Sequence, residues 1–280
     1  MVSVLHCGRF RLPLDRPLIM GIVNVTPDSF SDGGCFDDPG RAIAHARRLI
    51  DEGADILDVG GESSRPGADP VAAEEELRRV LPVIEGLADC GVPLSVDTVK
   101  PAVMGRAIAA GAAMINDIAA LQAPGALEAV AASDAAVVLM HMQGEPRTMQ
   151  AAPTYGDVVA DVKEFLAQRV ATAQTAGIAR ERIVVDPGFG FGKRVEHNLS
   201  LLRHLDRLAE LGLPLLVGLS RKSTLGALTG RPVDQRMPAS VAAALIAAAK
   251  GAKILRVHDV AATRDALAVW TAVRGAGHAS

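Results

Sequence analysis

Aromatic side chains are scarce in this chain: one Trp, one Tyr and six Phe make up 3% of 280 residues. Binders of single-stranded nucleic acid stack bases on aromatic platforms, and so few rings leave little to build them from. Positive charge is not in surplus either. The 29 Lys and Arg face 32 Asp and Glu, a formal net charge of −3, whereas phosphate-backbone affinity needs an excess of cations. A local basic cluster for a small anion is still allowed. Cysteine is limited to Cys7, Cys35 and Cys90, far apart and without C-x-x-C spacing, so neither a disulfide framework nor a structural zinc site is indicated. No run approaches the roughly 18 apolar residues of a membrane span. Arg9, Arg11 and Asp15 interrupt the N-terminal apolar positions and spoil a signal-peptide core. The expected setting is reducing and cytoplasmic, with neither membrane nor nucleic acid as partner.

What is present is ample material for a core: 49% hydrophobic and 22% charged residues. The length admits two ordinary domains or one α/β barrel of about 250 residues. Short apolar runs alternate with amphipathic stretches, the pattern of parallel strands joined by crossover helices. Strands are expected at 18–23, 56–59, 93–96, 113–115, 135–140, 182–185, 213–217 and 254–257. Helices are expected at 39–52, 72–88, 101–109, 125–132, 155–176, 196–211, 223–228 with 238–249, and 261–274. Gly53, Gly91, Gly111, Gly177, Gly212 and Gly251 mark helix stops shortly before the next strand. Eight βα units without a linker or composition break predict an α/β fold of one domain, 1–280, a closed (β/α)8 barrel. Residues 2–14, with Cys7-Gly8 in their middle, read as a β-hairpin over one end of the barrel or as a frayed arm.

In such barrels chemistry sits at the C-terminal ends of the strands. The first expected strand is followed by Asn24 and the loop 26–34, the second by 60–67; both loops are long, polar and glycine-bearing. The later strands run into Asp97, Asn116-Asp117, Met140-His141, Asp186, Ser220-Arg221-Lys222 and His258-Asp259, and Arg256 interrupts the last. One polar residue closing a strand is commonly a cap or turn former. Convergence of all of them on one rim is what argues for a pocket. Asp97, Asn116 and Asp186 suit a flat heterocycle presenting an amino group beside a ring N–H. Arg256, His258, Lys222 and Arg65 supply positive charge, and a guanidinium inside an apolar run needs an anionic partner. Other motifs fail: Lys193 stands where G-x-G-x-x-G needs glycine, Lys222-Ser223 lacks the P-loop glycine, Lys222 blocks a nucleophile elbow, and H-E-x-x-H is absent.

The loops themselves carry a resemblance. The run Met20-Gly21-Ile22-Val23-Asn24-Val25-Thr26-Pro27-Asp28-Ser29-Phe30-Ser31-Asp32-Gly33-Gly34 and its companion Asp58-Val59-Gly60-Gly61-Glu62-Ser63-Ser64-Arg65-Pro66-Gly67 resemble the two signatures of dihydropteroate synthases. Ser95-Val96-Asp97-Thr98, Asn116-Asp117, Asp186 to Lys193, Ser220 to Ser223 and Arg256 to Asp259 follow in family order across nearly the whole chain. Ser64 stands where Thr is common, which preserves the hydroxyl.

The resemblance implies condensation of 6-hydroxymethyl-7,8-dihydropterin diphosphate with p-aminobenzoate, giving 7,8-dihydropteroate and diphosphate. It places Asp97, Asn116, Ile118, Met140, Asp186, Phe191 and Lys222 at the pterin. Asn24, Ser63, Arg256 and His258 are expected at the diphosphate, with Asn24 also a ligand of Mg2+. Phe30, Ser64, Arg65, Pro66, Lys222 and Ser223 border the p-aminobenzoate. Asp28, Asp32, Asp97, Asp186, Lys222, Arg256 and His258 are the expected catalytic set, and a homodimer is expected from the family alone. A pterin-binding methyltransferase domain would not need the Ser-Arg-Pro loop, and a non-catalytic pterin-binding paralogue should lack one of the long loops.

Overall fold

The computed structural model describes residues 2–25, 39–63 and 67–275. Ten strands and ten α-helices follow one another as β1 (Val4–Cys7), β2 (Phe10–Pro13), β3 (Leu18–Asn24), α1 (Pro39–Asp51), β4 (Ile56–Gly60), α2 (Ala73–Gly86), β5 (Leu94–Asp97), α3 (Pro101–Ala109), β6 (Met114–Asp117), α4 (Ala126–Ala131), β7 (Ala136–Met140), α5 (Val158–Thr175), β8 (Ile183–Asp186), α6 (Val195–Arg203), α7 (Leu205–Ala209), β9 (Leu216–Val217), α8 (Ser223–Thr229), α9 (Met237–Ala249), β10 (Ile254–Val257) and α10 (Val260–Gly275). β3 to β10 form one parallel eight-stranded sheet in the order β8-β7-β6-β5-β4-β3-β10-β9. A parallel bridge between Val185 and Leu215, with Val185 N–H donating to Pro214 O at 3.0 Å, joins its two edges. The expected (β/α)8 barrel is present.

Pleating decides which side chain goes where, because residues two apart share a face. On the outward face Ile19, Val23, Leu57, Val59, Val96, Ile115, Val137, Val185 and Leu255 are buried in one large cluster with the apolar stripes of the helices. Inside, Met20, Ile56, Met114, Val138, Val184, Leu216 and Ile254 form a second cluster with Leu5, Cys7 and Leu14. The hairpin is therefore β1 paired antiparallel with β2, closing the barrel floor rather than fraying. Gly8 N–H donates to Asp134 O at 3.0 Å, and Cys7 Sγ lies 3.2 Å from Ala113 O. Burial pushes the Cys7 thiol up to about 12. Cys7 and Cys90 are both free thiols.

Two elements differ from the pattern expected of them. The strand expected at 213–217 contracts to Leu216–Val217; Pro214 has no N–H to donate, and Leu215, outside the strand, makes the isolated closing bridge to Val185 and accepts from the N–H groups of Lys253 and Ile254 at 2.9 and 3.0 Å. The helix expected over 196–211 divides at His204, whose φ of −113° and ψ of 29° are not helical. Among the described residues no helix is long and apolar enough to cross a membrane.

Candidate active site

The C-terminal ends of the strands open into a cleft of about 1460 Å³. That exceeds the roughly 300–1,000 Å³ of a pocket for one small ligand and leaves room for two. Of the residues expected at the site, Asn24, Ser63, Asp97, Phe191, Lys222, Ser223, Arg256 and His258 line it. Asn116, Met140, Asp186 and Ile118 are not on its wall but lie buried around it, at 3%, 3%, 6% and 8% exposure. Asp28, Phe30, Asp32, Ser64, Arg65 and Pro66 lie outside the described residues.

The polar centre is a network across four strands. Arg256 on β10 donates from Nε to Asp58 Oδ2 at 2.6 Å and from Nη2 to Asp97 Oδ2 at 2.9 Å, and Asn116 Nδ2 donates to Asp58 Oδ2 at 3.0 Å. The guanidinium thus has its anionic partners. Burial works against its charge, but Asp58 and Asp97 more than offset that and raise its pKa. Burial, reinforced by Asp58, Glu76 and Asp117, raises Asp97 despite the attraction of Arg256. Asp186 is likewise pushed up to about 6 by burial, held back by the Gly188 N–H that it accepts at 2.7 Å and by Lys222, Lys193 and Arg256.

Lys222 approaches from the β9–α8 turn. Its Nζ donates to Phe189 O at 2.7 Å and stands 4.1 Å from the centre of the Phe191 ring. Burial lowers it to about 8, partly offset by Asp186. Its neighbour Arg221 has a different role. With φ of +58°, a strained position for a non-glycine residue, it pairs through two nitrogens with Asp259 at 2.5 and 3.1 Å and pins the turn to the end of β10. His258 Nδ1 lies 3.0 Å from Ser220 Oγ.

Sequence reasoning missed two residues. Asp58 was read as part of an apolar strand, yet it is fully buried and bonds both Asn116 and Arg256. The signal was there, since a charge in the middle of a buried parallel strand requires a partner. Lys193 is the other, at 3% exposure. Its Nζ lies 2.9 Å from His141 Nδ1 and donates to Gly188 O and Phe191 O, both at 3.0 Å. This ammonium gathers the loops after β7 and β8 beneath Phe191. Burial lowers Lys193 to about 7, and burial with Lys193 beside it lowers His141 to about 3. Gly188, at φ +67°, is required here because a Cβ would stand 1.9 Å from His141 O. Asp117 differs from the residues of the rim. It faces outward and accepts the N–H groups of Ala119 and Leu121, both at 2.7 Å, as a turn former.

A parallel barrel whose strand ends converge on carboxylates, an amide and cations defines a ligand-binding barrel with the polarity of an amino-heterocycle site, and residues 20–258 match the family described as pterin binding enzyme. The chain belongs to the dihydropteroate synthase family. It is 55% identical over 277 residues to the dihydropteroate synthase of Neisseria meningitidis serogroup B, covering 96% of this chain and 97% of that one. Solved structures are similar as well, among them two with bound ligands. One is Xanthomonas albilineans dihydropteroate synthase with 4-aminobenzoic acid (TM-score 0.93, 59% identity, 98% of this chain and 99% of the other). The other is the Burkholderia cenocepacia enzyme complexed with 7,8-dihydropteroate (TM-score 0.92, 53% identity, 99% of both chains).

Proposed function

We propose that the chain, one domain over 1–280, condenses 6-hydroxymethyl-7,8-dihydropterin diphosphate with p-aminobenzoate to 7,8-dihydropteroate and diphosphate. The observation that carries this reading is the network of Arg256 with Asp58, Asp97 and Asn116, flanked by Asp186 and Lys222, in a member of this family. It offers acceptors for the pterin N–H edge and cations for its leaving group in one cleft.

Asp97, Asn116 and Asp186 accept from the pterin edge, Lys222 donates to it, and Ile118, Met140 and Phe191 cover its faces. Asp58 and Asp97 engage two of the five N–H donors of Arg256, leaving the others to meet the diphosphate together with Ser63, His258 and Asn24. Cleavage of the C–O bond sends its electron pair to the diphosphate and leaves a pterin methylene cation. The aryl amine attacks that carbon and then loses a proton. No side-chain nucleophile is required; positioning and charge complementarity do the work. Asp186 and Asp97 favour the developing cation, and Asp28 and Asp32 support it from the first loop. Phe30, Ser64, Arg65, Pro66, Lys222 and Ser223 border the amine substrate.

Among the described residues there is no group of three or more His, Cys, Asp or Glu able to hold a metal ion. Asn24, a neutral oxygen donor, fits Mg2+ that takes its remaining ligands from the diphosphate and water. Such an ion neutralises leaving-group charge. We place the protein in the cytoplasm as a homodimer. Exposed Ile246, Val269 and Val273 on α9 and α10 support the pairing.

Diphosphate release in the presence of both substrates tests the reading. Turnover that requires p-aminobenzoate supports it. Pterin binding without turnover indicates a binding paralogue, and methyl transfer indicates the methyltransferase alternative.

A further inference from the structure

We propose that Asp58 is a positioning residue that fixes which end of the Asn116 amide is offered to the pterin. The inference rests on the pterin-binding reading above. An amide has a donor end and an acceptor end of nearly the same shape, so its hydrogen-bond network decides its orientation. A carboxylate can only accept. Asp58, at 0% exposure on β4, takes the Nδ2 of Asn116 on its Oδ2 at 3.0 Å. The Nδ2 end is committed, and Oδ1 is left as the acceptor. That Oδ1 is buried without a partner among the described residues, as is Oδ1 of Asp58. Native interiors rarely leave such atoms unpaired, and an N–H of a bound heterocycle satisfies one of them.

The same Asp58 oxygen receives Arg256 Nε at 2.6 Å. One carboxylate therefore sets both the acceptor that reads the pterin edge and the direction of the guanidinium beside it. In the barrel Asp58 stands level with Ile22 on one side and Ser95 on the other, one residue pair below Asp97 and Asn116. It acts through those residues and needs no contact with substrate.

An exchange experiment tests this. Affinity for a 6-hydroxymethylpterin without diphosphate is measured by calorimetry for the wild type, Asp58→Asn, Asn116→Asp and the double variant, with a melting curve for each. Asp58→Asn should bind about 10–100-fold more weakly, because a neutral amide replaces the acceptor-only carboxylate whose one oxygen holds both Asn116 Nδ2 and Arg256 Nε. Asn116→Asp should also lose affinity, with two carboxylates set against each other. The exchange should bind better than Asn116→Asp, because the new amide donates to the new carboxylate, whose second oxygen remains an acceptor, yet stay below wild type, because the amide nitrogen then stands where an oxygen accepted from Arg256 Nε. A merely structural role predicts melting temperatures that fall with no such recovery. If Asp58→Asn does not fold, recovery of the exchange relative to Asn116→Asp decides the matter. An exchange no better than Asn116→Asp, or Asp58→Asn binding like wild type, overturns the inference alone. A wild type that binds no pterin overturns the functional reading and this inference with it.

Discussion

At the N-terminal end of the barrel interior, Met20, Ile56, Met114, Val138, Val184 and Ile254 meet the hairpin in one apolar cluster. Two residues further along the same strands stand Ile22, Asp58, Asn116, Met140, Asp186 and Arg256. Both ends have the same backbone, register and pleat. The lower end is an apolar cluster, whereas the upper end leaves Asp58 Oδ1, Asn116 Oδ1 and Ser95 Oγ buried and without a partner among the described residues. Burial there also drives two carboxylates up and two ammonium groups down. Perturbed groups of this kind are the mark of a site arranged for a ligand rather than for the free protein. The proposed site therefore predicts that stability is concentrated below and binding above, and substitutions at the two ends should separate them.

The sharpest break is Arg256→Met. It leaves Asp58 and Asp97 buried without their cation, an arrangement that costs about 3–5 kcal/mol until one carboxyl takes up a proton. Turnover should drop about 10²–10³-fold, and affinity for diphosphate should fall more than affinity for a pterin lacking it. Diphosphate release and paired calorimetric titrations measure both. Equal losses for the two ligands would make Arg256 a strut of the barrel.

At the other end, Met114→Ala removes a fully buried side chain from the lower cluster. Unfolding in denaturant should show a loss of about 2–5 kcal/mol. Affinity for pterin at a temperature well below the transition should be unchanged; a parallel loss would mean that the two ends are not energetically separate.

Asp186→Asn should move stability and binding in opposite directions. Asp186 titrates near 6 in the folded chain against 3.8 ordinarily, so between those values the folded state holds a proton that the unfolded state has released. Stability then falls as pH rises through that window, and the penalty is complete above it. The amide should therefore raise stability at pH 7.5 by about 1–3 kcal/mol, and by nothing below about pH 4. Pterin affinity should fall about 10–100-fold. Chemical unfolding at the two pH values tests the sign; a destabilised variant at pH 7.5 would show that the Asp186 charge is well compensated.

How much of this was legible beforehand follows from the range of the interactions. The strands at 254–257 and the helix at 101–109 were readable because period and Gly or Pro punctuation are local, and their ends agree with β10 and α3. The break at His204 had no Gly or Pro to announce it. Asp97, Asn116 and Asp186 could be placed on the rim because each closes a strand. Asp58 could not, since what defines it are partners 58 and 198 residues away in sequence. Lys193 looked like the failure of a glycine motif, and only the folded loops bring three carbonyl oxygens, those of His141, Gly188 and Phe191, around its Nζ. Arg221 and Lys222, adjacent cations in the sequence, were separable only by geometry, one tied to Asp259 and the other turned to Phe189 and Phe191.

The mildest perturbation is pH alone, which acts on the upper end and spares the lower. The proposed chemistry needs Asp186 ionised to accept the pterin N–H pair and Lys222 protonated to donate. Their values of about 6 and about 8 leave a window between them. The ratio kcat/KM for the pterin substrate should follow a bell, falling about tenfold per unit once pH is well below 6 or well above 8. Because the two groups interact, the limbs belong to the pair rather than to either residue. Two variants assign them. Lys222→Arg keeps its charge at every accessible pH and should flatten the alkaline limb whatever it does to the maximum, and an acidic limb that survives Asp186→Asn would belong to Asp97, which burial raises to about 7. Lys193, lowered to about 7 among its carbonyl oxygens, also loses charge on the alkaline side. An alkaline limb that survives Lys222→Arg would therefore move the assignment to Lys193 and the loop that it holds, and a profile flat from pH 5 to 9 would mean that neither end of the barrel uses a titrating group.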